Sequence, residues 1–305
     1  MDTPIRTFPE QSAVHSIAAA NNIALVGFTP YEGNPPSARI WNLSTGQSLQ
    51  ALSAPLGSPV VSVALSPNGQ YAAATTAGLK ALLWDTNSGR LLGSVPTPGS
   101  DQSSRIAFSP DGQLILSSLS SDLTVFDLTL RQKNKITAVK PGTTTTAIAS
   151  SPEGRFMAAG YAAAGAVLES DVSIYDLLTG QMTLQFLSNK GPGVSCLAWT
   201  GSYILTGSSN KTIKLWNAQS GAAVSRPFPT HAGTVNALAV SSDGRLVLSG
   251  SDDATMKVIE FATGKELHSF THTDGPVAAV AFTGTPQLAV SCSGNSAKLW
   301  DLTGF

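Results

Sequence analysis

The sequence predicts an all-β chain of seven repeated units closed into a ring, and three observations carry that prediction. The dipeptide Trp41-Asn42 recurs as Trp84-Asp85, Phe126-Asp127, Tyr175-Asp176, Trp216-Asn217, Ile259-Glu260 and Trp300-Asp301, at intervals of 43, 42, 49, 41, 43 and 41 residues. An aromatic-acid pair closing a strand every 40–45 residues or so is the mark of a propeller blade. Tight turns march in step upstream: Ser66-Pro67-Asn68-Gly69, Ser109-Pro110-Asp111-Gly112, Ser151-Pro152-Glu153-Gly154 and Ser242-Asp243-Gly244. In them Pro fixes one φ and Gly supplies a positive one. Between turns the chain reads as short strands. Ile204 to Thr206 is β-branched, Gly207 to Asn210 is turn punctuation, and Thr212 to Trp216 alternates so that one face meets a core and the other water.

Together these motifs resemble the WD-repeat family over essentially the whole of residues 1–305, read as one domain. The resemblance implies a seven-bladed β-propeller with four antiparallel strands per blade. The last repeat stops at Phe305, short of an outer strand, and Ile5-Arg6-Thr7-Phe8 has the pattern of Leu267-His268-Ser269-Phe270. Residues 1–10 are therefore expected to supply the missing strand to the blade of Trp300, so that the ring has no open sheet edge; if Ile5 and Phe8 each bury a side chain there, each contributes about 1.5–3 kcal/mol.

In order, blade one spans about Gln11 to Leu52, blade two Val60 to Val95 and blade three Ser104 to Val139. Blade four spans Thr144 to Leu187, blade five Val194 to Phe228, blade six Val235 to Phe270 and blade seven Val277 to Phe305. Two long turns, Thr29 to Ser37 and Tyr161 to Ser170, fall in the same connection between second and third strands. That connection shares one end of the ring with the loops joining successive blades, so this end is the expected binding face. Tyr31 and Tyr161 are its candidate anchors, with Glu32, Lys190, His231, Asp252, Asp253 and His272 around them.

The family resemblance also implies a polar network in each blade: a His between blades, a Ser or Thr on the second strand, an Asp in the next turn and the Trp of the third strand. Blade six offers His231, Ser249 and Asp253, with Ile259 in place of Trp. Blade five offers Thr206, Asn210 and Trp216, with Lys190 where the His belongs. Blade seven offers Ser291, Asn295 and Trp300, with His272 one residue out of register. By this reading no blade is complete, and these residues are structural.

The chemistry-bearing patterns are sparse. Four histidines occur without HxH or HExxH spacing, there is no Cys pair at metal spacing, and Gly207 to Thr212 lacks the second Gly of a phosphate loop. No cofactor, metal site or catalytic residue is expected, and the chain reads as a non-enzyme. A net charge of −1 gives no general attraction to nucleic acid or acidic membranes. The basic strip Arg131, Lys133, Lys135 and Lys140 closes blade three; its lysines read as discouraging edge pairing, with an acidic partner or RNA as the sharper alternative. Cys196 and Cys292 lie in different repeats and the start lacks a secretory pattern, so an intracellular protein, cytoplasmic or nuclear, is expected. The expected function is a protein-interaction scaffold or adaptor subunit, a monomer within a larger complex. The alternatives are a reader of a modified peptide at the central mouth, or a subunit of an RNA-handling or chromatin complex.

Overall fold

The computed structural model describes residues 3–29, 37–54, 58–78, 80–96, 104–110, 112, 114–117, 122–136, 143–163, 169–190 and 193–305, and every regular element among them is a strand. Six antiparallel sheets are each made of four consecutive strands. Blade one is Val14–Ala20, Ile23–Phe28, Ala38–Asn42 and Ser48–Leu52, and blade two is Val60–Leu65, Tyr71–Thr76, Lys80–Asp85 and Leu91–Pro96. Blade three is Ile106–Phe108, Leu114–Ser117, Leu123–Phe126 and Gln132–Ile136, and blade four is Thr143–Ser150, Phe156–Ala163, Glu169–Asp176 and Met182–Lys190. Blade five is Val194–Thr200, Tyr203–Ser208, Ile213–Asn217 and Ala223–Val224, and blade six is Val235–Val240, Leu246–Ser251, Thr255–Glu260 and Glu266–Thr271. The remaining sheet is composite: Val277–Phe282, Leu288–Ser293 and Ser296–Asp301 take Arg6–Pro9 as their outer strand. The repeats thus give six self-contained blades and one shared between the two ends of the chain. Each inner strand packs on the next, and Val277–Phe282 packs back on Val14–Ala20, so the sheets surround a central channel.

The recurring motifs have plain local jobs. Ser66, Ser151 and Ser241 each accept the N–H five residues on, from Tyr71, Phe156 and Leu246, at 2.9 Å. The Gly of each of these turns bonds back to the Ser carbonyl at positive φ. In the dipeptides the first side chain is buried and the second ties the following turn. Ser88, Thr129, Thr179 and Ser220 donate backbone N–H to Asp85, Asp127, Asp176 and Asn217. The outer strand of blade five is only two residues long because the following Arg226-Pro227-Phe228-Pro229 carries prolines, which cannot donate to a ladder.

Blades adhere through close backbone approach and through the channel wall. A Cβ on Gly27, Gly160, Gly207 or Gly250 would fall 2.8 Å or less from Val60, Val194, Val235 or Val277 of the next blade, so only glycine lets the sheets pack this tightly. Around the channel each blade reaches the next. Ser16 Oγ accepts from Val63 N–H (3.1 Å) and Ser62 Oγ from Ile106 N–H (3.4 Å). Arg105 Nε donates to Thr146 O (2.9 Å), Thr146 Oγ1 to Val194 O, Ser195 Oγ to Val235 O, and Asn236 Nδ2 to Val277 O (3.2 Å). At the seventh junction the channel wall carries Ala278 and Ala279, and backbone bonds from Glu10 N–H to Asn295 O and from Val14 N–H to Gly294 O take over.

The N-terminal strand pairs Arg6, Thr7, Phe8 and Pro9 with Leu299, Lys298, Ala297 and Ser296. Phe8 is 1% exposed and Ile5 50% exposed, so of the two only Phe8 meets the condition of a buried side chain. Ile5 precedes the ladder, so no neighbouring strand covers it.

Candidate functional site

Most residues expected on the binding face are placed otherwise. Tyr161 lies in the strand Phe156–Ala163, not in a loop, and is 6% exposed, its hydroxyl 2.9 Å from that of Tyr175. Burial first, then the neighbouring Tyr175, pushes the Tyr161 phenol far up. Blade four has long strands, Phe156–Ala163 and Glu169–Asp176, and Lys190 ends the strand Met182–Lys190 opposite Glu169 rather than sitting in an inter-blade loop. Tyr31 and Glu32 lie outside the described residues. Asp252 is exposed and accepts from Asn236 Nδ2 at 2.7 Å.

His231, Asp253 and His272 are internal ties. His231 Nδ1 lies 3.0 Å from Asp253 Oδ2, and Nε2 lies 2.8 Å from Ser249 Oγ. Burial lowers the His231 pKa against the pull of Asp253, so the neutral ring donates to the carboxylate and accepts from the serine. Burial raises the Asp253 carboxyl, but bonds from Thr255 and the Ala232 N–H overcome it and bring the pKa to about 2. This Ser-His-Asp order is that of an acyl-transfer triad. Ser249, however, is 0% exposed and lines none of the cavities described below, so no carbonyl can reach its oxygen.

Blade seven closes its tie despite the offset: His272 Nε2 and Trp300 Nε1 each lie 2.7 Å from Ser291 Oγ. Burial, then the nearby Lys298, lowers the His272 pKa to about 4, so the ring is neutral and accepts. In blade five Trp216 Nε1 donates to Thr206 Oγ1 at 3.0 Å.

Blade one uses a residue that sequence reasoning missed. Trp41 Nε1 donates to Glu10 Oε1 at 2.8 Å, and Glu10 Oε2 lies 3.6 Å from Arg39 Nε. Glu10 N–H bonds Asn295 O just as His231 and His272 N–H bond Lys211 O and Ala254 O, so Glu10 holds the histidine position. Burial raises its pKa, opposed by Trp41 and Arg39. The signal was its spacing: Glu10 precedes Val14 as His231 precedes Val235.

The basic strip of blade three is partly neutralised. Lys133 lies 3.3 Å from Asp127 and Lys135 3.0 Å from Asp122, while Arg131 is exposed and Lys140 lies outside the described residues. The acids come from the neighbouring strand and turns, which a reading of the strip alone passes over. The central channel holds a cavity of about 290 Å³ lined by His15, Ser62, Arg105, Thr146, Ser195 and Asn236 among others, with no Phe, Tyr or Trp among its described lining. An aromatic cage for a modified lysine needs such rings. Among the described residues no three His, Cys, Asp or Glu converge as metal ligands, and no helix is long and apolar enough to cross a membrane. Cys196 and Cys292 are free and buried, and burial pushes both thiols up to about 12.

The open apolar site lies on the other end of the ring, between blades four and five. A cavity of about 570 Å³ has a floor of Phe156, Ile174, Leu184, Trp199 and Ala218, with Glu153, Arg155 and Asp176 at its charged edge. Its cause is local. Blade five turns from first to second strand through only Gly201-Ser202, with Thr200 pairing Tyr203, where blade four spends Ser151 to Arg155. The low turn leaves Trp199 partly exposed, its indole N–H held by Gly201 O at 3.0 Å, whereas Trp41, Trp84, Trp216 and Trp300 are buried. Arg155 and Glu153 also line an adjoining cavity of about 440 Å³, beside Leu178, which is 85% exposed.

The family model described as "WD domain, G-beta repeat" matches residues 90–126, 181–217, 223–260 and 264–301. Among curated proteins the chain is 30% identical over 141 residues to a guanine nucleotide-binding protein subunit beta of Arabidopsis thaliana, covering 42% of this chain and 37% of that one. It is 29% identical over 113 residues to the small ribosomal subunit protein RACK1y of Oryza sativa subsp. japonica, covering 36% and 33%. It is 29% identical over 153 residues to the U3 small nucleolar RNA-associated protein 15 homolog of Xenopus laevis, covering 49% and 28%. The matches span about a third of these relatives' length. WD repeats are recognised in four places, relatives of this kind match, and the blades are four-stranded throughout, so the chain carries WD repeats and is similar to proteins of the WD-repeat family.

Proposed function

We propose that the chain is a non-catalytic interaction scaffold that holds partner proteins against the ends of its ring, inside the cell. One observation carries the reading: the groove between blades four and five offers apolar and aromatic surface, with Trp199 partly exposed and Leu178 at 85% exposure beside it. Apolar area of this kind on a folded surface marks an interaction site. His231, Ser249, Asp253, His272 and Ser291 are meanwhile occupied in the ties of blades six and seven. The relatives' names, a G-protein subunit, a ribosomal subunit protein and an RNA-associated protein, are those of assembly members, in keeping with an adaptor role.

The test is affinity purification from the source cells with tagged wild-type protein, Trp199→Ala and Leu178→Glu, with folding checked by circular dichroism. At least one partner retained by the wild type should be lost from the variants while the fold persists. Identical partner sets on all three proteins would move docking to the opposite end, where Asp252 is exposed.

A further inference from the structure

The groove between blades four and five has a charge and a ring geometry that together select its occupant. Arg155 is compensated: its Nε lies 3.0 Å from Asp176 Oδ2, and its guanidinium sits 5.0 Å from the centre of the Phe156 ring. Lys133, in the adjoining cavity, is compensated by Asp127. Glu153 is exposed in the same turn as Arg155 and has no ion pair or hydrogen bond among the described residues. The rim therefore carries one carboxylate in excess. Phe156 already has its cation, whereas among the described residues none lies over Trp199, and the face of an indole is the best aromatic surface for one. Behind these groups Ile174, Leu184 and Ala218 form an apolar floor, and a volume of about 570 Å³ suits one or two large side chains.

We propose that the groove receives an extended basic segment of a partner protein. A large apolar side chain of that segment sits on Leu184 and Ala218, and an adjacent lysine or arginine lies over Trp199 with its charge toward Glu153. The proposal rests on the scaffold reading and adds the chemistry of the partner. An acidic segment is disfavoured because the one guanidinium at the rim is already held by a carboxylate. Blade one shows what the groove depends on: it has the same two-residue turn, Asn21-Asn22, but Ala19 where blade five has Trp199, and Gly284 N–H of blade seven bonds Asn21 O across the gap.

The test is a random peptide library displayed on phage, selected on the wild-type ring and rescreened on Trp199→Ala and on Glu153→Lys. Because the other four tryptophans are buried, iodide quenching of fluorescence reads Trp199 directly. Binders that depend on Trp199 should weaken about tenfold or more on Trp199→Ala, as expected for a central aromatic anchor. They should share a lysine or arginine next to a large apolar residue, protect Trp199 from iodide, weaken about tenfold on Glu153→Lys, and weaken with added salt. Trp199-dependent binders that are acidic or uncharged, or a library that yields none, overturn the proposal. If cellular partners need Trp199 while the selected peptides are not basic, the docking role stands and the basic segment falls. If neither depends on Trp199, both fall.

Discussion

Phe8→Ala and Ile5→Ala should part company sharply, and the difference measures how the ring is closed. Phe8 is 1% exposed; its ring lies 5.5 Å from that of Trp41, and it packs in one cluster with Val14, Leu43, Ala297 and Leu299. It therefore joins the outer edge of the composite blade to the core of blade one. Truncating a buried Phe removes its transfer free energy and leaves a cavity, together about 3–5 kcal/mol. For a chain of this size that lowers the melting temperature by roughly 5–15 °C. Ile5 is half exposed ahead of the ladder, so its truncation should stay within about 0.5 kcal/mol. Urea denaturation followed by far-ultraviolet circular dichroism, with thermal melts in parallel, resolves differences of this size. Equal effects from the two variants, or a Phe8→Ala protein as stable as the wild type, would refute the claim that Phe8 holds the closing strand.

Ser291→Ala leaves both Trp300 Nε1 and His272 Nε2 without their partner, whereas Ser249→Ala strands only His231 Nε2, since Ile259 stands in place of the Trp. At about 1–3 kcal/mol per buried group left unpaired, Ser291→Ala should cost more in urea, and the reverse order would contradict this accounting. Stability should also fall in two steps on acidification. His231 and His272 have folded pKa values below 6.5, that of His272 near 4, so the unfolded chain takes up protons first and stability drops from about pH 6.5 toward 4. Asp253 and Asp274, near 2 in the fold, then lose their contribution between about pH 4 and 2; a melting temperature flat from pH 7 to 4.5 would exclude the first step. Finally, Glu10→Gln keeps a carbonyl for the Trp41 indole and removes a buried charge whose pKa is raised, so it should be at least as stable as the wild type at pH 7. Glu10→Ala should lose about 1–3 kcal/mol, and a Gln variant as weak as the Ala one would show that the pairing with Arg39, not the indole bond, holds this corner.

Strand positions were legible because turn chemistry is local. The β-branched run Ile204 to Thr206 lies inside the strand Tyr203–Ser208, and the alternating run Thr212 to Trp216 matches the strand Ile213–Asn217. Tyr161 was misread because the extra length of blade four was assigned wholly to a loop. The residues Tyr161-Ala162-Ala163 instead extend a strand that pairs with Thr145, Thr144 and Thr143. A hint was present in Tyr175, which replaces Trp in its dipeptide: a buried phenol needs a partner for its hydroxyl, and Tyr161 supplies one. The offset of His272 misled in the same way. The inter-blade connection absorbs the extra residue near Gly275, at φ 114°, so spacing alone understated the tie it makes to Ser291. None of the recurring motifs includes Trp199, and its exposure was not legible in the sequence because what a short turn uncovers depends on the height of the neighbouring blade.

These differences follow from where the ring keeps its stability. The ties that matter are inside blades, as in Trp300–Ser291–His272, or at the channel wall, where six junctions are crossed by side chains from Ser16 round to Asn236. The turns between first and second strands contribute no residue to the ties named here, so they can change length without loosening the blades. Gly201-Ser202 and Asn21-Asn22 have the same two-residue geometry, and both leave their sheets intact. What separates them is one side chain at the strand end, Trp199 against Ala19, and whether a neighbour leans over it: Gly284 meets Asn21, while a Cβ on Gly201 would meet nothing within 4 Å. Recognition at this end can therefore be set by a single residue on a common turn, with the ring beneath it unchanged.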